Sequence, residues 1–199
     1  MTWKPRKEGD EGMRITEGFV GGLVCLVGLA GCVGSTGVQV SPRYMSSYTT
    51  DDVRYAAKEG VRAEIVGNPF AAEAQDQLEA VITESIAHDH FGPTLPVYTE
   101  PPEDFISPYR VVMVFNPTTR SYPLCEDTPE AGPNDGTVRV AAAFCASDRS
   151  LTEVKGSASD VQGPDDPRFR ELISTMTLEL FPPFDERDDN EPDADFDLN

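Results

Sequence analysis

The sequence predicts one α+β domain in two layers: a small mixed sheet with two helices on one face, in the order β-α-β-β-β-α. Three observations carry this. Two segments show a one-sided apolar stripe at helical spacing, and each opens on a capping residue followed by proline. One run, Arg110-Val111-Val112-Met113-Val114-Phe115, is apolar on successive residues, as a strand at a sheet centre is. Two β-rich runs separated by a polar turn read as a hairpin.

The first strand falls in Val53 to Val66, a β-leaning stretch broken at Gly60. Its best part is Val61–Val66, with Val61, Ala63 and Ile65 on one face. Gly67 ends it. Asn68 is placed to cap a helix and Pro69 suits the first helical position, where a missing N–H costs nothing. Phe70, Ala74, Leu78, Val81, Ile82 and Ile86 then form a stripe, and Gly92-Pro93 stop it, so a helix is expected over 69–90. Residues 92–109 hold five prolines and read as an extended loop. After the central strand, Asn116-Pro117 is a stop and Glu126 to Gly136 a polar loop. Thr137–Cys145 and Leu151–Gly156 are the hairpin strands, joined by the five-residue loop Ala146 to Ser150. Asp166 caps the second helix, Pro167 opens it, and Phe169, Leu172, Ile173, Met176 and Leu180 form its stripe up to Pro182-Pro183. The strand–helix–strand unit is expected to be parallel.

The domain is expected over 51–184. The Gly- and Ser-rich segment 33–50 reads as a flexible tether headed by Cys32, making 32–50 one unit. Residues 185–199 carry eight acids and one Arg, the composition of a disordered acidic tail.

The N-terminal part reads as a targeting segment. The apolar run from Phe19 to Ala30 falls short of the ~20 residues that a membrane span needs, and it follows a charged start. It closes on Leu29-Ala30-Gly31-Cys32, which resembles the lipobox of bacterial lipoproteins. The resemblance covers only this leader, whose initiator is Met1 or Met13. It implies a signal peptide over 1–31 that is removed, and a Cys32 that carries a diacylglyceryl thioether and an amide-linked chain such as palmitate. The partner it implies is a lipid bilayer, gripped by more than one acyl chain because a single chain binds only marginally. With Val33 rather than Asp after the cysteine, the family's sorting rule favours the outer over the inner membrane. The whole resembles the small lipoproteins of GC-rich Gram-negative bacteria and implies no activity.

The net charge is −19 at pH 7, and the four acids of the leader balance its four bases, so all of it belongs to residues 32–199. This excludes nucleic acid, where a basic face supplies most of the affinity. It also excludes an electrostatic contact with anionic lipid. Of the four cysteines, Cys25 lies in the leader and Cys32 in the lipobox. Cys125 and Cys145 are left as an even pair in an oxidising compartment, where a disulfide is expected.

Catalytic signals are few. His88-Asp89-His90 holds the only two histidines. Residues two apart on a helix face different sides, so these are weak metal candidates and no metal or other cofactor is expected. Asp193-Ala194-Asp195-Phe196-Asp197 opens like a calcium loop but lacks its Gly and closing Glu. Ser85 lies near His88 without an orienting third group. There is no G-x-S-x-G elbow, no Walker loop and no H-E-x-x-H. The expectation is a periplasm-facing, membrane-anchored envelope lipoprotein with a structural or protein-binding role rather than an enzymatic one, its protein partner open. The alternative is a metal-dependent envelope enzyme or factor built on His88 and His90.

Overall fold

Strand β5 (Tyr109–Phe115) is hydrogen-bonded on both sides, to β3 (Val61–Val66) in parallel and to β6 (Thr137–Ala146) antiparallel. In this computed structural model, which describes residues 37–118 and 123–185, those three strands are the middle of one mixed sheet. Its order is β1-β7-β6-β5-β3-β4, with β1 at Val38–Val40, β4 at Val97–Tyr98 and β7 at Arg149–Ser159. A further short strand, β2 (Tyr44–Met45), also pairs with β7. Three helices complete the domain: α1 (Thr50–Glu59), α2 (Gln75–His88) and α3 (Pro167–Leu180). The single α+β domain is as expected, and so is the parallel β3/β5 pair.

Side chains alternate across each strand, so one face of the sheet collects Val61, Ala63, Val111, Met113, Val140, Ala142, Phe144 and Val154. Against it pack Leu78, Val81, Ile82 and Ile86 of α2 and Phe169, Leu172, Ile173, Met176 and Leu180 of α3. Most of both stripes read from the sequence therefore line the core; Phe70 packs only at its margin. Phe70 meets Phe169 edge-on at 5.1 Å, and Phe144 meets Phe181 at 4.8 Å.

Four details differ from the sequence reading. First, residues 50–59 are helix rather than strand. Asp52 accepts hydrogen bonds from the Thr49 backbone N–H (2.9 Å) and hydroxyl (2.8 Å), and Asp185 accepts one from the Thr50 N–H (2.6 Å). These carboxylates serve the unpaired N–H groups of the first turn, where the helix dipole also favours negative charge. Asp185 thus belongs to the domain and not to a free tail; 186–199 lie outside the described residues. Second, residues 37–50 are not a free tether, because β1 and β2 zip onto β7 in tandem. Third, α2 begins at Gln75 instead of 69. Asn68 Oδ1 accepts from the Phe70 N–H (2.8 Å), closing a local turn that competes with the helix, and a 3₁₀ turn at Ala72–Ala74 leads in. Fourth, the hairpin turn is two residues, Ser147-Asp148, with Ser147 at φ 56°; the strands run longer than expected and a bulge lies at Phe144/Cys145. The second helix starts as read, with Asp166 accepting from the Arg168 N–H.

The sheet's other face is covered in part by the described residues of the stretch that follows β5, 116–118 and 123–136. Asn116, in the left-handed region at φ 47°, turns the chain away from β5. Its side-chain oxygen accepts from the Arg139 N–H (2.9 Å) and its carbonyl from the Gly132 N–H (2.7 Å). Leu124 and Cys125 then come down on Val112, Val114, Ala141, Ala143 and Cys145 as a second, smaller core. Gly67 makes room for this layer: at φ +81° it would hold a Cβ 2.3 Å from the Ala131 Cβ. Gly67→Ala combines an unfavourable backbone with a clash, and a destabilisation of at least about 2 kcal/mol is expected from urea unfolding.

A groove on the back of the sheet

The covering loop leaves open the part of the sheet's back face nearest β1. The floor there is set by alternation: Arg139 and Ala141 from β6, Glu153, Lys155 and Ser157 from β7, and Gln39 at the edge. Pro117, Thr118, Leu124 and Pro129 of the loop form one wall, and Ser41 stands on the other side. The concavity holds about 700 Å³, within the range of small-ligand pockets.

Its charges are mixed and held. Arg139 pairs with Asp135 at 2.8 Å, and this contact first, then the Thr137 N–H, keeps the Asp135 carboxyl below the usual range. The Lys155 N–H donates to Ser41 Oγ (3.0 Å), tying floor to edge. Among the described residues the lining includes no His, Cys or Asp. Such a surface offers hydrogen bonds, the charges of Arg139, Lys155 and Glu153, and a small apolar floor: equipment for holding a ligand.

The disulfide expected from the sequence is present and positions this groove. Cys125 and Cys145 are joined at 2.01 Å, with Cα atoms 5.7 Å apart. The bridge pins the loop next to Leu124 onto β6. Arg110 reinforces it by donating to the Cys125 carbonyl while lying 3.6 Å from Glu64, which also faces Arg62. The groove itself was not read from the sequence; the polar, proline-containing loop between two apolar strands was the available signal.

The histidine region lies elsewhere. His88 is exposed on the last turn of α2, its Nδ1 3.1 Å from the Glu84 carbonyl oxygen. Asp89 accepts from the Ser85 hydroxyl (2.8 Å), which also lies 3.1 Å from Thr177 Oγ1, so Ser85 pairs with no histidine. His90 packs on Phe181 with centroids 5.2 Å apart. His88 and Asp89 line one shallow concavity with Glu84 and Ser85 while His90 turns away to Phe181, and among the described residues no group of three or more His, Cys, Asp or Glu could hold a metal ion. Cys32 and the 193–197 segment lie outside the described residues.

No protein-family model matches this chain, and no curated protein matches it. Among solved structures, it is similar to a PelC variant dodecamer from Paraburkholderia phytofirmans, at 11% identity and a TM-score of 0.43, over 72% of this chain and 96% of that one. A PelC dodecamer from the same organism is similar at 8% identity and 0.41, over 72% and 94%. Likeness at this distance carries no functional argument.

Two predictions follow from the contacts above. Replacing Cys125 and Cys145 together by Ser removes a cross-link across 20 residues and is expected to cost roughly 2–5 kcal/mol, read as a lower urea midpoint. The second concerns His90. Both its ring nitrogens are buried without a hydrogen bond. Burial lowers its pKa from 6.5; the nearby backbone of Phe91 and Ala87 opposes this in part, without reaching either nitrogen in bonding geometry, and of the two neighbouring charges His88 lowers it and Asp89 raises it. The unfolded chain therefore takes up its proton first, and stability falls as pH drops below 6.5 towards the lowered folded value. His90→Phe removes this contribution. Thermal unfolding from pH 7.5 to 5 is expected to show the wild type losing stability relative to that variant.

Proposed function

We propose that this chain is a cell-envelope lipoprotein, anchored in a bilayer through acylated Cys32 and facing the periplasm, with a structural or protein-binding role and no catalytic one. The observation that carries it is Leu29-Ala30-Gly31-Cys32 at the close of a short apolar run. Among the described residues no helix is long and apolar enough to cross a membrane. The Cys125–Cys145 pair supports an oxidising compartment, where disulfides persist. Val33 favours the outer membrane. A groove floored by Ala141, Glu153 and Lys155 suits binding. The metal-dependent alternative on His88 and His90 has no third ligand among the described residues to support it.

Metabolic labelling with palmitate tests the anchor. The wild type is expected to take up label and sediment with membranes, and Cys32→Ala to remain a precursor of higher mass without label. An unlabelled wild type would rule out the lipoprotein reading.

A further inference from the structure

At one end of the sheet an apolar tip stands in solvent on a rigid base. Ile106 is 92% exposed, beside Phe105 and the 37%-exposed Tyr98. The two rings meet edge-on at 5.6 Å and close over Gly60, where a Cβ would lie 2.8 Å from Tyr98 and 3.1 Å from Phe105. The loop is fastened at several points. The Ser107 hydroxyl donates to the Gly60 carbonyl (2.6 Å), the Phe105 N–H to the Pro102 carbonyl (3.0 Å) and the Ser147 N–H to the Pro108 carbonyl (2.8 Å). Ile106 is thus held outward in advance, and a preorganised side chain binds with little further ordering cost. Around it lie Glu100, Glu103 and Asp104, all exposed and none in an ion pair among the described residues.

The tip's place in the sheet decides what can meet it. Register puts Tyr109, Ala146 and Arg149 at the tip's end, and Phe115, Thr137 and Ser159 at the other. Gly37 lies at that other end, where its carbonyl accepts from the Ser159 N–H (3.2 Å). The ten steps of β7 span roughly 33 Å. The five residues from Cys32 to Gly37 reach at most about 18 Å. If Cys32 is the anchor, as proposed above, the tether is too short to run back along the sheet and turn the tip squarely onto the bilayer. The acidic rim would in any case be repelled by anionic lipid. A second copy is disfavoured by the same charge, −19 on each chain.

We propose that the Tyr98–Phe105–Ile106 tip is a docking knob for a second envelope protein, one that offers an apolar socket rimmed by Lys and Arg. The inference rests on the lipoprotein reading for its exclusion of the membrane. Apolar contact supplies the affinity, and the carboxylate rim supplies orientation and the rate of encounter.

The test places a benzoylphenylalanine photoprobe at Pro102 in the full-length chain, in living cells, with palmitate labelling of the same culture. The expected result is a discrete adduct with a different protein, mapped to a segment containing Lys or Arg. It is expected to fall at least tenfold with Ile106→Asp and several-fold with Glu103→Lys/Asp104→Lys. Leu178→Asp, on an exposed α3 position, is expected to leave the yield unchanged, and melting curves confirm that each variant folds. Adducts with lipid, with a second copy of this chain or with nothing would overturn the knob. So would an adduct indifferent to Ile106→Asp. Absence of palmitate label in the wild type would overturn the anchor instead, and the adduct would still decide the knob.

Discussion

Strand β5 is apolar on both faces, and most of the architecture answers that constraint. Val111, Met113 and Phe115 face the helices; Val112 and Val114 face the opposite way and are equally buried. A sheet with helices on one side leaves its second face in water unless something else covers it. Here the cover is the stretch after Asn116, too polar and proline-containing to form a helix of its own. Among the described residues it contributes Leu124 and Cys125 to the small core. With so little apolar area to hold it, a cross-link to β6 and hydrogen bonds at Asn116 and Arg110 do much of the fastening.

The same economy explains the groove. The covering loop extends over β5 and the near side of β6 and stops. Beyond it the back face changes from Val to Ser157, Lys155 and Glu153, residues that tolerate water. The groove is the step between a covered apolar half and an uncovered polar half of one sheet.

Much of this was legible in the residues. The stripes of α2 and α3 and the run Val111–Phe115 have periods that physics reads directly, and they set the sheet centre and the helical layer. Asp166-Pro167 marked a helix start correctly because Asp166 Oδ1 accepts from the Arg168 N–H inside the first turn, while its other oxygen takes the Gln162 N–H. Asn68-Pro69 carried the same signal and failed because the Asn68 side chain closed its own turn. The helix α1 was missed because only Val53 and Ala56 are buried in it, too few for a stripe; the capping pair Thr49 and Asp52 was the cue. Strands β1 and β2 carry so little apolar signal that only their partner explains them. The groove depends on where a loop comes to rest, which no local pattern encodes. The pairing of Cys125 with Cys145 was legible only by elimination.

The ends of the described chain hold each other. The Tyr48 hydroxyl donates to the Pro182 carbonyl (2.7 Å), Arg43 pairs with Glu179 (2.6 Å) and lies over the Phe184 ring, and Asp185 reaches Thr50. Strand β1 pairs with residues more than a hundred positions later, Val38 opposite Ala158. Such pairing carries a loop-closure cost that local contacts do not share, and it slows folding. The consequence is an order of assembly. The hairpin β6–β7 can form locally, but the N-terminal strands have nothing to dock on until that hairpin exists. The first residues of the domain therefore cannot be seated until the chain through β7 is available to receive them.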